Sequence, residues 1–95
     1  LVLGAWQPYR PVDGSTQRCT VQIGAQPAQA FERSYGLQDP AWLLPQWLRH
    51  ATAHFGSLRA GTVVTTGSWC GLLQAAPGGA VRVQFDGIGE LRVQL

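Results

Sequence analysis

Three stretches of this chain alternate apolar and polar residues, and each alternation predicts a strand half covered by a core. Arg18 to Ile23 sets Cys19, Val21 and Ile23 on one side and Arg18, Thr20 and Gln22 on the other. Ala80 to Phe85 points Val81, Val83 and Phe85 inward, with Arg82 and Gln84 outward. Glu90 to Leu95 repeats the pattern with Leu91, Val93 and Leu95. The last two strands flank Asp86-Gly87-Ile88-Gly89, a turn sequence, so they read as a hairpin. Gly24-Ala25-Gln26-Pro27 reads as a second turn, leading into a strand over Ala28 to Tyr35 with Ala28, Ala30 and Phe31 inward. Two further segments read as buried strands. Leu1-Val2-Leu3-Gly4 is a short apolar run ended by glycine, and Thr62-Val63-Val64-Thr65-Thr66 is β-branched throughout. Leu72 to Ala76 reads as a short extended piece before the Pro77-Gly78-Gly79 turn.

The spacing changes to that of a helix after Asp39-Pro40. Asp accepts hydrogen bonds from open backbone amides at a helix start, and proline suits the first helical position. Leu44, Leu48, Ala51 and Phe55 then recur on one face, and Gly56 stands where the helix should end. Pro45 is at odds with a helix running unbroken from Pro40, because it removes a donor and crowds the preceding turn. Either the helix kinks there, or an opening turn precedes a helix that begins at Pro45. The segment Ala5 to Thr16, with Pro8, Pro11 and Asp13-Gly14, reads as a surface loop. The pattern as a whole is one main helix among five or six strands. It predicts an α+β fold with a mixed, folded-over β-sheet and the helix on one side.

Composition narrows the function classes. The 95 residues suffice for a single domain over residues 1–95. A hydrophobic share of 45% fits a globular chain, and a charged share of 13% is low for one, hinting at covered surface. The seven basic residues are all arginine and are scattered, so no basic patch for nucleic acid forms. The lack of lysine excludes a Schiff-base or phosphate-loop lysine from this chain. No apolar run is long enough to span a membrane, and no leader peptide is visible. Cys19 and Cys70 read as two free thiols in a reducing cytosol, with one disulfide as the alternative. His50 and His54 share a helical face, but Ala51 stands where a zinc-binding HExxH sequence needs glutamate.

The five acids are spread out, and an ordinary role accounts for each. Asp39 caps a helix, Asp13 and Asp86 open turns, and Glu32 and Glu90 face water on strands. They make no cluster for a divalent cation. The informative segment is Thr66-Gly67-Ser68-Trp69-Cys70-Gly71, where glycines bracket a small hydroxyl as the chain leaves an apolar strand. Such a loop lets a ligand approach the backbone, whose amides can hold a carboxylate or enolate oxygen. The plain alternative is a tight turn with Trp69 as a hydrophobic lid. Cys70 reads as a small buried residue rather than a nucleophile.

At this loop the chain resembles the 2-keto-4-pentenoate hydratase family of the fumarylacetoacetase superfamily. The resemblance rests on Leu58-Arg59-Ala60-Gly61-Thr62-Val63-Val64-Thr65-Thr66-Gly67-Ser68, then Ala76-Pro77-Gly78-Gly79, then Val81 through Gly89. Family members read similarly to LRAGDVVLTGS and APGDRVRVEFDGLG there. Leu1-Val2-Leu3-Gly4 is similar to the family's VLG strand, and Asp39-Pro40 with Trp47-Leu48 to its helix. Gly79 and Thr62 stand where aspartate is common, and Pro45 disturbs the helix opening.

The resemblance implies that residues 1–95 are the C-terminal part of a fumarylacetoacetase-like catalytic domain. It implies a cytoplasmic lyase of aromatic-compound catabolism, adding water to a 2-hydroxypenta-2,4-dienoate or similar 2-oxo acid. Decarboxylation of 2-oxo-3-hexenedioate on the same scaffold is an alternative, as is a non-catalytic module acting by association. Carbon–carbon bond hydrolysis is a weaker reading, since Ser68-Trp69 replaces the Thr-Pro of such hydrolases. The family's magnesium or manganese ion is held by acids, and its chemistry helped by a lysine, that precede the VLG strand. This chain supplies no ligand for the ion and is expected to be inactive alone. What the resemblance carries over is substrate contact by Thr66, Gly67 and Ser68. The chain opens on Leu1 rather than methionine, which suggests a longer polypeptide. Four tryptophans (Trp6, Trp42, Trp47, Trp69) suggest a homo-oligomer or contact with an N-terminal portion.

Overall fold

The computed structural model describes residues 1–32, 39 and 41–95. Four strands form one sheet: β1 (Arg18–Ile23), β2 (Gln29–Glu32), β3 (Ala80–Phe85) and β4 (Gly89–Gln94). The helix α1 (Leu44–Phe55) lies between β2 and β3 in the chain. The sheet order is β2-β1-β3-β4, and all three pairings are antiparallel. An α+β fold with one main helix is therefore present, as the alternation predicted.

Register explains why these strands hold. Phe31 of β2, Cys19 of β1 and Phe85 of β3 stand in one row across the sheet. Val21, Val83 and Leu91 make the next row, and Ile23, Val81 and Val93 the third. Since side chains alternate faces along a strand, all nine share one face. Cys19 is fully buried and Val21 is 3% exposed, so the core sits over the first two rows. The opposite face is polar: Arg82 lies across from Arg92, and Glu90 bridges them at 2.5 and 2.6 Å. Arg18 pairs with Glu32 at 2.7 Å on the same face. These pairs fix side-chain positions and contribute little stability in water. Gln17 is buried, and its Nε2 donates to the carbonyls of Arg18 and Asp86, at 3.1 and 2.9 Å. It thereby ties the start of β1 to the β3–β4 turn.

The turns follow their residues. Gly79 N–H donates to the Ala76 carbonyl at 3.0 Å, with Pro77 and Gly78 between. Gly78 has φ +78°, which the third position of a type II turn requires, and proline suits the second. At Asp13 the carboxylate accepts from the Ser15 amide and hydroxyl, at 2.9 and 2.6 Å.

Pro45 chooses the second of its two alternatives. A turn opens at Asp39, whose Oδ1 accepts from the Ala41 amide at 2.8 Å, and the helix begins at Leu44 with Pro45 in its first turn. There the missing proline N–H has no intrahelical partner to lose. Asp39 caps that opening turn and makes no bond to the helix itself. Pro40 lies outside the described residues.

Several expectations are corrected. Leu1–Gly4 and 62–66 form no strand, because neither finds a ladder partner among the described residues. Leu1 is 89% exposed and Val63 is also exposed. Leu72 to Ala76 forms no strand either. In β2 the inward residue is Phe31; Ala28 and Ala30 are exposed, and the expected extension to 33–35 lies outside the described residues. Leu95 falls past the end of β4 and is exposed. On α1 only Ala51 is buried, while Leu48 and Phe55 are exposed. Among the described residues, no strand packs against this helix.

The chain leaves much apolar area open. Its accessible surface is 7582 Å², against roughly 5,400 Å² for a folded monomer of this mass. Its radius of gyration is 15.3 Å, against about 12.4 Å for a compact chain of this length. Trp6, Tyr9, Trp42 and Leu72 are among the exposed large apolar residues. No helix among the described residues is long and apolar enough to cross a membrane.

Candidate functional site

The glycine-bracketed loop lies on the apolar face of the sheet. Trp69 meets Phe85 of β3 edge-on, with ring centroids 6.0 Å apart. This contact places Cys70 beside Cys19, the β1 residue paired with Phe85. Burial pushes the Cys19 thiol up to about 11, and the neighbouring Cys70 and the Asp86 charge add to the rise. The loop reverses direction through Gly67 at φ +124° and Gly71 at φ +71°, both unfavourable to a residue with a Cβ. Nothing lies within 4 Å of a Cβ built on either glycine, so each is needed for its conformation and not for lack of space.

Thr66, Gly67 and Ser68 are all exposed along this loop. Ser68 Oγ donates to the Gly71 carbonyl at 2.9 Å, closing the loop on itself. Among the described residues, the amides of Gly67 and Trp69 donate to no backbone carbonyl. The indole Nε1 of Trp69 is buried without a hydrogen-bond partner. An unpaired buried donor costs about 1–3 kcal/mol, so a group that accepts from it is favoured. The loop therefore leaves the Gly67 and Trp69 amides without a backbone carbonyl acceptor among the described residues, beside one buried, unpaired indole N–H.

Among the described residues, no three of His, Cys, Asp and Glu gather in a way that would hold a metal ion. Two of the acids are visibly committed elsewhere. Asp13 is held below the usual carboxylate range by the Ser15 hydroxyl and then by the Ser15 amide. Glu90 is held low by hydrogen bonds from Arg82 and then Arg92, and the same pairing raises Arg82. Among the described residues, the donor set does not fit magnesium or manganese. His50 and His54 do share a helical face, with ring centroids 4.4 Å apart, and no acid among the described residues completes a site with them.

A shallow groove of about 230 Å³ opens at the other end of the sheet, lined by Gln22, Gly24, Ala80, Val81, Arg82 and Arg92. None of the three loop residues borders it. Alternation in the sequence did not reveal this groove, although the outward positions of adjacent strands, Gln22, Arg82 and Arg92, form one row. The signal needed was the register, which alternation alone leaves open.

The fumarylacetoacetate hydrolase C-terminal family model matches residues 1–95. No curated protein and no solved structure matches the chain. With the family model covering the strands, the helix and the glycine loop alike, the chain belongs to the fumarylacetoacetate hydrolase C-terminal family.

Proposed function

We propose that this chain supplies the substrate-oxygen side of a hydratase acting on 2-hydroxypenta-2,4-dienoate or a similar 2-oxo acid. The observation that carries the reading is the glycine loop, where the Gly67 and Trp69 amides donate to no backbone carbonyl among the described residues and the Trp69 indole N–H is buried without a partner. Donors fixed in advance stabilise an enolate or carboxylate oxygen without reorganising as charge develops. Thr66, Gly67 and Ser68 would line this contact. The exposed Ser68 hydroxyl, which donates to Gly71, would switch to a bound carboxylate.

The magnesium or manganese ion of such an enzyme would be held outside this chain. Residues 1–95 would then be one part of a catalytic domain, working in the cytoplasm within a homo-oligomer or against another portion of its own polypeptide. The excess accessible surface supports such covering: it amounts to roughly 2,200 Å², the size of a stable interface. A non-catalytic, associating module is the second reading, favoured by the scattered acids.

The test is kinetic. Residues 1–95 joined to the portion that would hold the ion are assayed with magnesium or manganese on 2-hydroxypenta-2,4-dienoate, following loss of the dienol absorbance, with carbon dioxide release from 2-oxo-3-hexenedioate in parallel. Hydration is expected, and Ser68→Ala should raise KM about tenfold, as loss of one hydrogen bond to a charged oxygen implies. Decarboxylation without hydration would replace the hydratase reading, and neither activity would favour the associating module.

A further inference from the structure

The glycine loop and the sheet meet at a pair of thiols. Cys19 is the second residue of β1 and is fully buried. Its neighbour across the sheet, Phe85, is the residue that Trp69 packs against. The next residue in the loop is Cys70, which is part-exposed and lies beside the Cys19 thiol. Neither cysteine is in a disulfide. The two are far apart in the sequence, with β2, α1 and most of the loop between them. A bond between them would join the 66–71 loop covalently to β1. The pair is not a metal site, since no third ligand gathers with it among the described residues.

We propose that Cys19 and Cys70 form a redox-active dithiol, closed by peroxide to a disulfide that pins the 66–71 loop to β1 and reopened by a thiol reductant. Cys70, the accessible member, reacts first. Its thiolate sulfur bonds to one peroxide oxygen, the O–O bond breaks, and the other oxygen leaves as water, giving a sulfenic acid. The Cys19 thiolate then attacks the Cys70 sulfur, the S–O bond breaks and a second water leaves. Two thiols and one hydrogen peroxide become one disulfide and two waters, with sulfur oxidised and peroxide reduced. Burial of Cys19 keeps it protonated and slow to react with external oxidants, so the order of events follows from exposure. This inference does not depend on what the loop binds.

Peptide mapping of the purified protein, before and after hydrogen peroxide, tests it. The expected result is a linked pair of peptides containing Cys19 and Cys70, lighter by two hydrogens. Free thiols should fall from two per chain to none, and dithiothreitol should restore both. In the Cys19→Ala variant, Cys70 should instead run on to sulfinic acid or link to a second molecule. The wild-type map decides the matter if that variant fails to fold. Oxidation of Cys70 to sulfinic acid with Cys19 still reduced would overturn the proposal, as would two thiols that remain unreacted.

Discussion

Replacing Val21 by alanine tests whether the apolar face of the sheet is the core that holds the chain. Val21 is 3% exposed, in the row with Val83 and Leu91. The change removes two buried methyl groups, worth about 0.8 kcal/mol each in transfer from water. The space left behind adds up to about 1 kcal/mol, because neighbours close in only partly. The total is roughly 2 kcal/mol. Gln84→Ala is the control: it lies on the same sheet, faces the polar side and is exposed. A surface change of this kind costs at most about 0.5 kcal/mol. Urea denaturation of the purified protein, followed by far-ultraviolet circular dichroism, gives both values with the slope checked for constancy. A Val21→Ala cost no larger than that of Gln84→Ala would show that the burial at β1 does not carry stability, and the core over the first two rows would have to be abandoned.

Other outcomes follow from particular residues. A Cβ at Gly79 would lie 2.9 Å from the Ala76 carbonyl oxygen, so Gly79→Ala should destabilise by about 1–3 kcal/mol in the same urea assay. The Cys19 thiol is raised to about 11 from an unfolded value near 9.0, so the folded state prefers its protonated form. Its contribution is complete below the unfolded value and is lost as pH rises from about 9 to 11. The melting temperature should therefore drop across that window more in the wild type than in Cys19→Ala; equal drops would contradict the assigned burial. From a glutathione mixed disulfide at Cys70, release of glutathione should quicken about tenfold per pH unit between roughly 7 and 9, tracking the Cys19 thiolate. A flat rate would mean that Cys19 is not the attacking group.

The strands legible in the sequence were those that find ladder partners among the described residues. Alternation located β1, β3 and β4 because the core covers one face of each and leaves the other to water. Thr62 to Thr66 has strand composition too, yet composition records a preference for a pleated surface and cannot provide a neighbouring strand. The same holds for Leu1 to Leu3. Pro45 set two alternatives, and the proline's missing N–H decided for a helix starting just before it. Of the acids, Asp13 and Asp39 were readable because their bonds are local, to residues two positions on. The bridging of Arg82 and Arg92 by Glu90 needed the β3–β4 register. The candidate loop was visible through its glycines, but its docking was not. Trp69 on Phe85, and with it the meeting of Cys70 and Cys19, depends on a long-range contact that spacing does not encode.

The claim that the loop from Thr66 to Gly71 receives the oxygens of a 2-oxo acid is tested most directly by nuclear magnetic resonance on the ¹⁵N-labelled protein with metal present. On adding 2-oxopentanoate, an unreactive substrate mimic, the Gly67 amide and the Trp69 indole N–H should shift with saturation while the side chains of Arg82 and Arg92 stay in place. Shifts confined to the groove at Gln22, Arg82 and Arg92, with the Gly67 and Trp69 signals unmoved at saturating ligand, would contradict it.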